Sequence, residues 1–167
     1  MLDKSFLSDI ESKIIVNNDP YPNAVINNTL PADIIKKMEE EFINFNKTST
    51  AGLEEFQKLK WVLNDYSKMP LTIKNAIDFF YSEGFLRILE RKFHLKNLLP
   101  DWNFFGGGLH QSFRGGFLKI HSDFIYMRKS KLKRRLNLLL YLNSNWDQNW
   151  GGLIELWDKN MNTAKKK

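Results

Sequence analysis

The chain has 167 residues, of which 43% are hydrophobic, enough apolar material for one folded domain with its own core. It contains no cysteine, which excludes disulfides, thiolate metal sites and cysteine nucleophiles and fits a reducing compartment. The net charge is +6, but eight positive charges fall in the acid-free segments 129–135 and 165–167, so the remainder is net negative by two. This distribution argues against a nucleic-acid-binding surface spread over the whole protein.

The first hundred residues show mainly the apolar spacing of amphipathic helices. We predict helices over 2–13, 31–46, from Pro70 onward and over 85–93, with Gly84 separating the last two. Residues 14–16 and 21–26 read as short extended pieces, and 53–63 fits a helix or a strand equally well. No apolar leader and no run of about 18 apolar residues is present, which predicts a soluble, cytoplasmic protein without a membrane partner.

From Trp102 onward the pattern changes to alternation with a period of two, interrupted by glycines. We predict strands near 102–106, 109–113, 116–122, 135–142 and 152–157, with tight turns at the glycine pairs 115–116 and 151–152. The continuous run 138–140 predicts burial on both faces. Helices followed by strands indicate an α+β domain in which the helices support a β-structure. The basic run at 129–135 then reads as a solvated turn, with steering of an anionic substrate as the alternative.

The most informative stretch is the tripeptide His121-Ser122-Asp123. In an extended strand, side chains two apart point to the same face, so this imidazole and this carboxylate can reach one metal ion. Two histidines and one carboxylate on one face of an octahedron are the ligand set of non-haem Fe(II) oxygenases. We therefore predict that His121 and Asp123 are metal ligands and catalytic residues.

Neighbouring segments strengthen this interpretation. Upstream lies Gly106-Gly107-Gly108-Leu109-His110-Gln111, and downstream lie Arg135-Leu136-Asn137 running on to Tyr141-Leu142-Asn143, and Gly151-Gly152-Leu153-Ile154-Glu155-Leu156. Over about residues 103–158 this order resembles the 2-oxoglutarate and Fe(II)-dependent oxygenases of the prolyl 4-hydroxylase-like group. The resemblance implies a double-stranded β-helix, that is, a jelly-roll or cupin-like core, over 101–167, with residues 1–100 as helical support in a single structural domain.

The resemblance also implies an activity and its cofactors. Such enzymes are dioxygenases that oxidise a C–H bond of a small-molecule or peptidyl substrate while 2-oxoglutarate is decarboxylated, and Fe(II) is the metal. Ascorbate is a further cofactor in the group. Relatives that halogenate lack the carboxylate ligand, so Asp123 favours hydroxylation. By position, Tyr141 corresponds to the phenol that contacts the 2-oxoglutarate carboxylate, and Asn137, His110 and Gln111 are expected to line the cofactor pocket, although a structural role is as compatible with these three residues.

One part of the family pattern is missing from the sequence. The family places a second histidine ligand, and an arginine that binds the far carboxylate of 2-oxoglutarate, beyond the Gly-Gly-x-x-Glu-Leu strand, yet no histidine follows His121. His110 lies on the wrong strand to replace that ligand. We therefore expect a C-terminally incomplete member with weak or no activity. The alternatives are a non-catalytic jelly-roll or cupin-like binding module and a basic nucleic-acid-binding protein. The sequence predicts neither the substrate nor the oligomeric state.

Overall fold

Helices dominate the first part of the chain. In the computed structural model, which describes residues 4–45, 57–127, 131–161 and 164–166, they are α1 (Lys4–Lys13), α2 (Ala32–Asn44), α3 (Leu71–Phe80) and α4 (Glu83–Lys92). All of the predicted helices are present, although residues 2, 3 and 46 of the predicted ranges lie outside the described residues. Within the described residues, every helix falls short of the length and hydrophobicity that crossing a membrane requires.

The break between α3 and α4 lies at Tyr81 and Ser82, and the prediction that Gly84 interrupts the helix is wrong. Ser82 caps α4, because its hydroxyl accepts a hydrogen bond of 3.4 Å from the Phe85 amide. Gly84 lies in the first turn, where an added Cβ would come within 2.7 Å of a Leu7 methyl carbon. The glycine therefore permits close packing of α1 against α4.

The hydrophobic core is built between the helices. The largest fully buried side chains come one from each helix, namely Ile10, Met38, Ile73 and Phe85. Phe85 contacts the rings of Phe79 and Phe80 at centroid distances of 5.8 and 5.1 Å. Burial of apolar side chains on this scale is the main stabilising contribution in the helical half.

Strands form small antiparallel pairs. The described residues contain β1 (Gln57–Leu63), β2 (Leu109–Leu118), β3 (Tyr126–Met127), β4 (Leu132–Lys133), β5 (Leu156–Trp157) and β6 (Ala164–Lys166), paired as β1–β2, β3–β4 and β5–β6. Residues 57–63, which fitted either type of element, are thus a strand, while residues 53–56 lie outside the described residues. The mixture of helices and small antiparallel sheets is compatible with the α+β prediction.

The glycine pair 115–116 forms a bulge within one strand, so the prediction of a tight turn between two strands is wrong. β2 runs through both glycines, and the register against β1 shifts between Lys58 and Lys60. Gly115 adopts a φ of +79°, and a Cβ on Gly116 would lie 2.9 Å from the Lys58 carbonyl oxygen. Gly115 is needed for its positive φ, and Gly116 is needed because the β1 backbone approaches it closely.

Several predicted strands are absent from the structure. Residues 102–106 form turns around the Asp101 carboxylate, which accepts from the Asn103 and Phe105 amides at 3.1 and 3.0 Å. Only 156–157 of the segment 152–157 form a ladder, and near the N-terminus one bridge, Asn17 to Asn23, replaces the pieces 14–16 and 21–26.

The segment 135–142 also lacks strand pairing, and the prediction of two-sided burial for 138–140 is wrong. Leu138 and Leu139 are 47% and 52% exposed, whereas Leu140 and Leu142 pack partly against the core. No strand among the described residues pairs with this segment, so its second face is uncovered. An apolar run specifies burial only if a partner layer is present.

Glu41 of α2 holds the start of α3, because its carboxylate accepts from the Thr72 amide at 3.0 Å and from the Thr72 hydroxyl at 2.6 Å. We expect Glu41→Ala to lower the free energy of unfolding by about 1–2 kcal/mol, since it removes a partly buried cap with two hydrogen bonds to a charged group. Urea denaturation followed by circular dichroism measures the change. The matched control is Glu40→Ala at an exposed position of the same helix; equal losses in both variants would contradict the assignment.

Candidate metal centre

His121 and Asp123 lie in a segment that follows β2 and precedes the β3–β4 hairpin. Ladder pairing with β1 ends at Leu118, and residues 119–125 carry no strand assignment. The far end of the segment is fixed by a 2.8 Å hydrogen bond from the Arg134 amide to the Ile125 carbonyl. His121 and Asp123 thus lie between the β1–β2 ladder and the β3–β4 ladder, and neither residue is part of a ladder.

The two side chains converge. His121 Nε2 lies 3.3 Å from Asp123 Oδ1, and both side chains are about 40% exposed. His121 Nδ1 lies 2.7 Å from the carbonyl oxygen of Lys119. Because a carbonyl only accepts, we assign the proton to Nδ1, which leaves Nε2 facing the carboxylate. The lone pair of His121 Nε2 and a lone pair of Asp123 Oδ1 repel each other unless a proton or a cation lies between them.

This geometry fits two adjacent positions of an octahedral metal. With metal–ligand distances of about 2.1 Å, adjacent donor atoms are about 3.0 Å apart, close to the observed 3.3 Å. A metal-binding histidine almost always donates its other N–H to a carbonyl or a carboxylate, as His121 does to Lys119. The imidazole–carboxylate donor set suits a divalent transition metal such as Fe(II).

The second oxygen of Asp123 is held from the hairpin. Arg134 Nη1 donates to Oδ2 at 2.8 Å, and Asn137 Nδ2 approaches the same oxygen at 3.3 Å. Arg134 also donates through Nη2 to the Phe105 carbonyl at 2.6 Å and stacks over the Phe124 ring at 4.1 Å. The carboxylate therefore presents Oδ1 to His121 while Oδ2 is bound.

Arg134 was missed as a site residue, because we assigned it to a solvated basic turn. Its side chain is only 18% exposed, so that interpretation is wrong for this residue; Lys129 lies outside the described residues. The signal that could have revealed it is hairpin register: Tyr126 pairs with Lys133, which brings residue 134 back alongside the segment containing Asp123. The sequence does not specify that register.

An open cleft adjoins the pair. Its volume is about 250 Å³, and it is lined by residues 122–125 and 134–137, which include Asp123, Arg134 and Asn137. The cleft thus has a carboxylate and an arginine in its wall, next to the side chain of His121. Of the residues predicted to bind the cofactor, Asn137 is the one that the structure places here.

The other three predicted cofactor-binding residues lie elsewhere. Tyr141 is 58% exposed and is not part of the cleft wall. His110 lies on β2 opposite Val62, where desolvation and then the charge of Lys60 lower its pKa. Gln111 pairs with Trp61, and its side-chain oxygen is buried with no hydrogen-bond partner among the described residues. Because His110 and Gln111 are consecutive strand residues, they face opposite sides of the sheet.

A third candidate metal ligand does not join the pair in the described part of the chain. There, no three His, Cys, Asp or Glu side chains come together in a way that could hold a metal ion. The other two histidines of the sequence, His94 and His110, are both described and neither joins the pair.

The pair, the hairpin arginine and the cleft all fall within one stretch of sequence that matches a family model. Residues 107–167 match the model of the 2OG-Fe(II) oxygenase superfamily. This match supports a 2OG-Fe(II) oxygenase domain and a dioxygenase-type oxidoreductase, for which Fe(II) and 2-oxoglutarate are typical. Neither a curated protein nor a solved structure matches the chain. All four helices precede the matched segment.

Proposed function

We propose that the chain carries the iron-binding half-site of an Fe(II)- and 2-oxoglutarate-dependent dioxygenase, and more finely of a hydroxylase of the prolyl 4-hydroxylase type. The observation that carries the proposal is the convergence of His121 Nε2 and Asp123 Oδ1 at 3.3 Å, inside the segment that matches the oxygenase superfamily. Two donor atoms of the chemical types that an iron site needs thus lie close together within the matched segment.

The roles of the residues follow from their contacts. His121 and Asp123 would hold the metal, the Lys119 carbonyl orients the imidazole, and Asn137 contributes an amide at the cleft wall. Iron with 2-oxoglutarate supplies the power to oxidise an unactivated C–H bond when bound, while the protein binds and orients the reactants. No contact with the His121–Asp123 pair or with the cleft wall is described for Tyr141, His110 and Gln111. A cofactor-binding role for these three residues stays a prediction.

The domain arrangement is part of the same proposal. We place a partial double-stranded β-helix over 101–167 and its helical support over 1–100. The restriction of the superfamily match to 107–167 and the placement of all four helices before it are in favour of this division. The apolar residues 138 and 139, exposed in the described structure, would face a second sheet in such a fold. A cytoplasmic location and a requirement for ascorbate also stay predictions. The predicted location is based on the absence of cysteine from the sequence.

The present chain is expected to turn over slowly if at all. Only two protein donors converge among the described residues, whereas the resembled enzymes use three. Loss of even an outer partner of a metal ligand typically costs 10–100-fold in metal affinity or activity. A missing ligand therefore predicts weak iron binding and little conversion of 2-oxoglutarate to succinate.

Coupled binding tests the proposal. We expect Mn(II), an air-stable substitute for Fe(II), to bind the 167-residue chain more tightly when 2-oxoglutarate is present, because the cosubstrate chelates the open positions of the metal. Isothermal titration calorimetry with Mn(II), with and without 2-oxoglutarate, measures the difference. Succinate, which lacks the chelating 2-oxo group, is the control ligand. Identical Mn(II) affinity in all three titrations would favour a non-catalytic jelly-roll or cupin-like module instead.

A further inference from the structure

Arg134 has three contacts that together fix the position of one carboxylate. It bridges Asp123 Oδ2 and the Phe105 carbonyl through two different guanidinium nitrogens, at 2.8 and 2.6 Å, while its planar group lies over the Phe124 ring at 4.1 Å. A guanidinium is planar, rigid and always charged, so a fork held at two ends and stacked on a ring is well oriented.

This arrangement decides which oxygen of Asp123 is available to a metal. Oδ2 accepts from Arg134 and is approached by Asn137, whereas Oδ1 points at His121 Nε2. A partly exposed carboxylate within a segment without strand pairing would otherwise be free to rotate about its side-chain bonds. Both Asp123 and Phe105 belong to parts of the chain that no ladder holds, and Arg134 joins them to the hairpin.

We infer that Arg134 is a positioning residue of the metal site, acting through Asp123 and not by touching the metal. The inference rests on the proposed function, since it assigns a role within the same site. Arg134 orients Asp123 so that Oδ1 and the His121 imidazole are directed to one point already in the metal-free protein.

The direction in which the removal of Arg134 changes the metal affinity distinguishes a positioning role from a purely electrostatic one. Arg134 carries a positive charge next to a cation site, so by Coulomb's law alone its removal should raise the affinity for a divalent metal. If the side chain instead positions Asp123, its removal lowers the affinity. The neighbouring Lys133 is exposed, lies outside the cleft wall and has no hydrogen bond to Asp123 among those described, so Lys133→Ala gives the effect of charge loss by itself.

The experiment compares Mn(II) dissociation constants by calorimetry for the unmodified chain, Arg134→Ala, Arg134→Lys and Lys133→Ala. We expect Arg134→Ala to bind Mn(II) about 10–100-fold more weakly, as is usual when a partner of a metal ligand is lost. Lys133→Ala should bind Mn(II) with unchanged or slightly higher affinity. Arg134→Lys keeps the charge but has no planar fork, so it should restore affinity only in part. Its Co(II) absorption spectrum should also differ from that of the unmodified chain, because Asp123 is held differently.

Results that contradict the proposed function differ from results that contradict only the positioning role of Arg134. If the unmodified chain binds no Mn(II) through His121, the proposed function and this inference are both overturned. If the unmodified chain binds and Arg134→Ala binds equally well or more tightly, only the positioning role is overturned. Circular dichroism of each variant checks that it folds. Arg134→Lys carries the test if the alanine variant does not fold, and a lysine variant with unchanged affinity and an unchanged Co(II) spectrum would then overturn the inference.

Discussion

Replacing His121 or Asp123 with alanine should lower the Mn(II) affinity of the chain by more than about 100-fold, beyond the range typical for loss of a partner outside the ligand shell. The two side chains provide the only converging imidazole and carboxylate donors at this point among the described residues. Each alanine variant would leave a single protein donor, which cannot fix a metal against exchange with water. The enhancement by 2-oxoglutarate should disappear with the metal.

The control must be another histidine, because any histidine binds metals weakly. His94 is exposed and follows α4, where it adopts a φ of +52°. Asparagine tolerates this left-handed conformation better than alanine does, so His94→Asn is the matched variant. Calorimetry and Mn(II) electron paramagnetic resonance should give the same affinity for His94→Asn as for the unmodified chain. Equal Mn(II) binding by His121→Ala and His94→Asn would eliminate the proposed metal site.

The helices could be predicted because their determinants are local. In α2, the apolar stripe around Met38 follows Pro31, which suits the start of a helix, and the structure confirms both the stripe and the start. The direction of the His121 and Asp123 side chains follows from local geometry too, since residues two apart on an extended backbone point the same way. Their convergence does not need the strand ladder that we expected around them.

Features that depend on distant partners could not be predicted in the same way. The contact between Arg134 and Asp123 depends on the register of a hairpin whose turn residues do not specify it. The bulge at the glycine pair depends on how closely β1 approaches Gly116. The sequence of 57–63 fits a helix as well as the strand that pairs with β2. For Leu138 and Leu139, the apolar pattern indicates a need for burial but not whether another layer is there to provide it.

The strand that leads into the segment of His121 and Asp123, the candidate metal site, depends on a glycine at its start. Gly108 adopts a φ of +111°, and a Cβ built on it would lie 2.2 Å from the Leu63 carbonyl oxygen and 2.9 Å from the Asn64 Cα. Leu63 pairs with the next residue, Leu109, at the first step of the β1–β2 ladder. A side chain at 108 must therefore push the two backbones apart where their pairing begins.

We expect Gly108→Ala to lower the free energy of unfolding by about 2–4 kcal/mol, adding the strain of a left-handed conformation to that of a backbone displacement. This corresponds to a fall of roughly 5–15 °C in melting temperature for a domain of this size. Gly107→Ala is the matched control, because Gly107 has no positive φ and its nearest contacts would be at 3.8 Å. Thermal denaturation followed by circular dichroism compares the two. Gly107→Ala should melt within a few degrees of the unmodified chain. Similar melting temperatures for both variants would show that β1 and β2 can separate at this point without loss of stability. The start of β2 would then not constrain the segment containing His121.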